Sequence, residues 1–329
     1  MKDTIFKLID NIGLLWVFRN AMRKHLTVLS LHRVSPEQDY FFQPISPALF
    51  KELLIYVKKN YFVTTFAELD SLGNKIPHKY PPLILSFDDG YKDFMEYALP
   101  LLLQYQLPCN HNLVNACLTN NENIWTQDLN DCFNFFKNQQ ILEVPLLQQL
   151  TGSSYYNSEQ NWYKYYNTVF QYLLNQPFSL KKEVTNSLKT HYGIASCPAM
   201  MSWHDASELP KCGVEIGSHS YTHNTVHTLS SEQDLEAEIG RSVIELREKL
   251  NVPIQIFAAP NGLFSNNSLA YCQKTGLKYC LSVDSHITPL SCLQSDFTVV
   301  SRTLLVDEKP AQMRARVAQF HSKIKKINE

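Results

Sequence analysis

Two short stretches hold residues that could do chemistry together. In "PPLILSFDDG" an apolar run closes on two adjacent carboxylates, Asp88 and Asp89, ahead of Gly90. Ionised side by side in a half-buried place, they repel unless one is neutralised. Far downstream, "EIGSHSYTHNTV" carries His219 and His223 four residues apart, so a turn of helix or a tight loop can aim both imidazoles at one point. Two neutral imidazoles and one carboxylate are a common shell for a catalytic divalent metal, with positions left open for water and substrate. His227 extends the four-residue series and reads as a surface or supporting residue. Read singly, these signals are weak, since D-D-G is a frequent turn and H-x-x-x-H often joins unrelated polar histidines.

Their placement gives them weight. "LTVLSLH" (26–32) reads as a buried strand ending in His32, and "PLILSF" as another ending at Asp88. "HNLVNAC" (111–117), "GVEIGS" (213–218), "IQIFAA", "KYCLSV" and "FTVVSR" continue the strands. Helices are expected between them. "SPALFKELLIYVKKN" (46–60) has Ser46 as N-cap and Pro47 at its first position. "YKDFMEYALPLLLQYQ" should bend or break at Pro100, and a helix over 230–251 lines up Leu235, Ile239, Val243, Leu246 and Leu250. Further helices are expected from about 265 and from about 309. Strands alternating with helices predict a parallel α/β barrel or partial barrel, in which ligands bind at the carboxyl ends of the strands. His32, Asp88, Asp89 and His219 each fall just after a predicted strand.

Composition narrows the class. The chain has 329 residues, 44% apolar and 19% charged, which describes a globular protein with one large or two ordinary domains. Lys plus Arg (30) balances Asp plus Glu (31) without a basic stripe, which argues against nucleic acid as a partner. Eight scattered cysteines with no C-x-x-C pair read as reduced thiols. The N-terminal segment 1–25 contains "IGLLWVF", too short to span a bilayer and without a small-residue cleavage site. A helix capping the domain is expected there, with a cytoplasmic location and loose membrane-surface contact as the alternative. The oligomeric state is not legible.

"LSFDDG" and "HSYTH" together resemble the two leading motifs of the polysaccharide deacetylases, carbohydrate esterase family 4, the NodB-homology domain. The likeness runs from about 26 to about 305, excluding most of the segment at about 119–203. It implies a distorted (β/α) barrel of about seven strands, with a large helical insertion here at about 119–203 inside a domain spanning 26–329. It also implies removal of acetyl groups from sugars with a divalent metal. By motif position Asp88 would be the general base, and Asp89, His219 and His223 would bind the metal, zinc first and other first-row ions next.

The sequence departs from the family pattern at two places. The usual late histidine acid is missing from "FTVVSRTLLVD", whereas "LSLHRVSP" looks like the first strand of the exopolysaccharide deacetylase branch with a rearranged barrel, making His32 the candidate acid. The motif that usually supplies an arginine to orient the base reads "FAAPNG", with Ala258 in its place and Pro260, Asn261 and Gly262 keeping the turn. Arg302 is expected to bring the missing guanidinium to Asp88, a bidentate task that lysine does poorly. The insertion holds Trp125, Trp162 and many tyrosines, which suit either a substrate lid or the core of a small subdomain. The expected function is N-deacetylation of a glycan in bacterial-type surface or exopolysaccharide metabolism. The alternatives are an O-acetyl esterase, a carbohydrate-binding pseudoenzyme prompted by "FAAPNG", and an unrelated metal hydrolase on a similar barrel.

Overall fold

Apolar runs bounded by turns become strands here because each finds cover on both faces. The computed structural model describes Phe6, Ile9 and residues 13–77, 79–195, 199–284 and 286–320. The strands are β1 His25–Leu31, β2 Phe62–Val63, β3 Pro82–Phe87, β4 Cys109–Leu113, β5 Val214–Ser218, β6 Ile256–Ala258, β7 Tyr279–Ser282, β8 Thr288–Pro289, β9 Thr298–Ser301 and β10 Thr303–Leu304. Their order is β10-β1-β3-β4-β5-β6-β7-β9, parallel throughout, with β2 beside β3 and β8 antiparallel on β1. All six residues of β3 are buried, as a strand flanked by parallel neighbours and clad in helices requires.

The sheet closes through one nearly continuous segment. Thr298–Ser301 pairs with β7, and after Arg302 the chain crosses over so that Thr303 and Leu304 pair with Leu29 and Ser30 of β1. The result is a distorted (β/α) barrel with seven positions around it, β9 and β10 sharing the last. Its interior is packed by Val28, Ile84, Ile256, Ala258, Leu281 and Val300. The helices cover the outside through Leu53, Val57, Leu102, Ile239, Leu246 and their neighbours.

Several local expectations need correction. The strand expected over 111–117 spans Cys109–Leu113, and a helix, Asn115–Asn120, takes up the last three residues of the expected strand. Pro100 sits at the second position of the helix Leu99–Tyr105, with a wide turn, Phe94–Ala98, just ahead of it. Having no N–H, Pro100 cannot extend an ordinary helix entering from upstream. The helix expected over 230–251 is likewise interrupted by a wide turn at Glu236–Gly240, between Glu232–Leu235 and Arg241–Leu250. The helix Pro47–Asn60 starts as expected, with Leu49 N donating to the Ser46 hydroxyl. The helix Asn266–Lys274 is capped by Ser265.

The segment between β4 and β5 carries four longer helices, Trp125–Asn138, Pro145–Thr151, Trp162–Leu174 and Phe178–Tyr192. Trp125, Phe133, Phe136, Trp162, Tyr165 and Leu173 pack into a core of their own. Near the N-terminus, the helix Leu14–Ala21 packs through Leu15 against Ala315, Ala318 and Phe320, beyond the start of the helix Pro310–Val317. The remainder of the expected N-terminal helix (1–5, 7, 8 and 10–12), Cys197 and the tail after 320 lie outside the described residues.

Candidate active site

Side chains alternate along a strand, so positions two apart share a face. Val28, Ile84, Ala258 and Val300 belong to the barrel interior. Counting onward in twos reaches Ser30 and His32, Ser86 and Asp88, and Arg302, while on neighbouring strands Asn112 and His219 reach the same rim. This is the carboxyl end, where (β/α) barrels keep their reactive groups.

Asp88 is held on one side only. Its Oδ1 accepts from Arg302 Nη1 at 2.8 Å and from Asn112 Nδ2 at 2.8 Å. Its Oδ2 lies 3.9 Å from His32 Nε2. Burial alone would raise Asp88, but the Arg302 guanidinium, then His219 and His32, outweigh it and hold the carboxyl at about 2. Arg302 is only 2% exposed and reaches Asp88 through one nitrogen. Among the described residues its Nε has no hydrogen-bond partner, so in place of the bidentate contact expected from sequence there is a single charge-assisted bond to Asp88.

Asp89 turns the other way because its backbone is left-handed, with φ 74°. Such a conformation is costly for a non-glycine residue and is concentrated at functional sites. Its Oδ1 lies 3.2 Å from His219 Nε2 and 3.3 Å from His223 Nε2. His219 Nδ1 meets the Ala258 carbonyl at 2.8 Å, which can only accept. That bond assigns the proton of a neutral imidazole to Nδ1 and leaves Nε2 a bare lone pair facing a carboxylate oxygen. Asp89 Oδ1 is buried and makes no hydrogen bond among the described residues. Lone pairs converging on one point are what a cation resolves, and the ligand atoms of Asp89, His219 and His223 lie within 4.8 Å of one another. The donor set fits a divalent ion of the zinc type. Burial would raise Asp89, but the adjoining histidines hold it well below the usual carboxylate range.

The remaining expected residues divide. His32 is half-buried and edge-on to Phe42, with ring centroids 5.4 Å apart. Asn261 and Gly262 line the same cavity as the aspartates and histidines, but Pro260 does not. Asn261 Nδ2 is buried and finds no partner among the described residues. Ala258, in the usual arginine's place, contributes its carbonyl to His219. His227 lies outside the cluster. The cavity is about 460 Å3, and its far wall comes from the inserted helices through Thr126, Asn130, Tyr163, Asn167, Phe170 and Gln171. Larger cavities of about 570 and 820 Å3 lie at the amino-terminal end of the barrel and beside Asp39, and neither meets the cluster. Trp125 and Trp162 sit in the insertion's own core, while Tyr163 and Phe170 line the cavity.

Sequence reasoning missed Asn112, which holds Asp88 and also donates to Ser86 Oγ and Phe87 O, each at 3.1 Å. A signal existed. "CNHNL" puts Asn110, His111 and Asn112 in succession, all fully buried, in a strand class that normally reads as an apolar run. His111 turns to the outer side against Phe94, and burial holds it at about 4, neutral.

The family model of the polysaccharide deacetylases matches residues 176–280, which include His219 and His223 but not the aspartate motif. No curated protein matches the chain. Among solved structures, the Streptococcus pyogenes deacetylase PplD in complex with acetate aligns over 89% of this chain and 98% of its own, at 15% identity and TM-score 0.58. IcaB from Ammonifex degensii aligns over 90% and 97%, at 17% identity and TM-score 0.56. A de-N-acetylase from Aggregatibacter actinomycetemcomitans aligns over 86% and 95%, at 18% identity and TM-score 0.54. At these identities the structures share a fold. Together with the family model and the motifs "LSFDDG" and "HSYTH", that fold identifies the chain as resembling the polysaccharide deacetylases of carbohydrate esterase family 4.

Proposed function

We propose that the chain is a metal-dependent deacetylase that hydrolyses N-acetyl groups of a glycan, with Asp88 as base and His32 as acid. The observation that carries the reading is one cavity joining a three-ligand cluster, an unliganded carboxylate and a half-buried histidine. A divalent ion held by Asp89, His219 and His223 would polarise the acetyl carbonyl and lower the pKa of a water. Asp88 is suited to take that water's proton at Oδ2, because Oδ1 is occupied by Arg302 and Asn112. As hydroxide adds to the acetyl carbon and the C–N bond breaks, the departing amine needs a proton. His32 is our candidate to give it, a reading supported by its position in the same cavity, with Nε2 3.9 Å from Asp88 Oδ2. Asn261 Nδ2, a buried donor without a partner, is suited to a substrate oxygen.

The cavity's amides and aromatic rings match the hydroxyls and faces of sugar rings. A structural neighbour that is a de-N-acetylase favours the amide over the ester. The seven described cysteines are free thiols, and no described helix is long and apolar enough to cross a membrane. Acetate release from N-acetylated and O-acetylated oligosaccharides of matched length tests the reading. Faster turnover of the N-acetylated series supports it; turnover of esters alone replaces it with the esterase, and no turnover of either with the carbohydrate-binding pseudoenzyme.

A further inference from the structure

Lys181, on the inserted helix Phe178–Tyr192, is fully buried. Among the described residues no carboxylate lies within ion-pair distance of it. Its Nζ donates to Asn224 Oδ1 and to Thr225 Oγ1, both at 3.0 Å, and lies 5.1 Å from the centroid of the Trp125 ring. A buried ammonium is costly unless its donors are satisfied, so this arrangement needs a reason. Its acceptors are the two residues that follow His223. Trp125, on another inserted helix, donates its indole Nε1–H to the carbonyl of His223 itself at 3.2 Å.

That loop is strained. Ser220 and His223 are left-handed, with φ of 66° and 64°. Such residues keep their shape only where the surroundings over-determine it. The barrel supplies part of the hold: Glu238, on the wide turn Glu236–Gly240, accepts from Thr222 N at 3.0 Å and Thr222 Oγ1 at 2.5 Å, and His223 N donates to Ser220 Oγ at 2.9 Å. The insertion supplies the bonds on the opposite flank, at residues 223, 224 and 225.

We propose that Lys181 and Trp125 are positioning residues that hold the His219–His223 loop in its ligating shape, which makes the inserted helices part of the metal centre. The inference rests on the reading of Asp89, His219 and His223 as metal ligands. Partners of ligating histidines change metal affinity by roughly 10- to 100-fold when removed. The test is competitive titration of Zn2+ against a chromophoric chelator, with full-length wild type, Lys181→Met, Trp125→Phe, Lys181→Arg and the core control Phe136→Leu. Lys181→Met keeps the alkyl stem and Trp125→Phe keeps an aromatic ring, so each removes chiefly the donor. We expect affinity about 10-fold or more weaker in both and partly restored in Lys181→Arg. Phe136→Leu should lower the melting temperature of the apoprotein without changing affinity. If Lys181→Met does not fold, Trp125→Phe decides alone. Wild-type affinity in the folded variants overturns the proposal. A wild type that binds no Zn2+ overturns the metal reading and the proposal with it.

Discussion

Replacing Arg302 with Met removes the one guanidinium that touches Asp88 and leaves a buried carboxylate facing an apolar stem. The depression of Asp88 from 3.8 to about 2 corresponds to about 2 kcal/mol of differential stabilisation of the ionised form. Breaking a buried pair by deleting one partner costs about 3–5 kcal/mol, because the surviving charge is stranded. The sign follows from the direction of the shift. A depressed carboxylate stabilises the fold fully above its unfolded value, near 4, and loses that contribution as pH falls through about 2. Urea unfolding should therefore separate wild type and Arg302→Met by about 3–5 kcal/mol at pH 7 and by less towards pH 3. Without the guanidinium, burial pushes Asp88 upward, so the acid limb of acetate release should move to higher pH and kcat should fall. Arg302→Lys should lie between the two, since an ammonium keeps the charge but not the planar geometry. An Arg302→Met protein with wild-type urea stability and an unmoved acid limb would refute the assignment. So would an Arg302→Lys enzyme of undiminished activity.

Gly217 gives Asn112 its room: a Cβ there would lie 2.1 Å from Asn112 Oδ1 and 3.1 Å from Ile256. Gly217→Ala should cost about 1–3 kcal/mol in unfolding experiments, and it should reduce kcat by displacing the amide that holds Asp88. Tyr163 lines the cavity from the insertion and is 56% exposed, so Tyr163→Ala should leave the melting temperature unchanged. Steady-state kinetics should show a KM several-fold higher on oligosaccharides through loss of stacking worth about 1 kcal/mol, with hydrolysis of a small acetyl ester unaffected.

The two pairs, Asp88–Asp89 and His219–His223, were legible because each is local in the chain and local spacing survives folding. His32 and Arg302 were legible through the resemblance, His32 from "LSLHRVSP" and Arg302 as a replacement for the arginine missing from "FAAPNG"; that Arg302 meets Asp88 depends on β9 and β10 closing the barrel between β7 and β1. Asn112 was hidden because its role follows from which strands are neighbours, although the polar run "CNHNL" signalled an unusual strand. The indole bond from Trp125 to His223 spans 98 residues and depends on how the inserted helices dock, which no periodicity reports. Helix placement was legible from caps and apolar spacing, whereas the wide turns at Phe94–Ala98 and Glu236–Gly240 were not. At the second, Glu238 reaches the histidine loop, and wide turns recur at functional sites.

The most direct test of the central claim is metal content measured together with acetate release, on wild type, Asp89→Asn and Asp88→Asn. The account predicts about one divalent ion per wild-type chain, little in Asp89→Asn, and full occupancy with greatly reduced turnover in Asp88→Asn. A wild-type protein without bound metal, or acetate release undiminished in both variants, would contradict it.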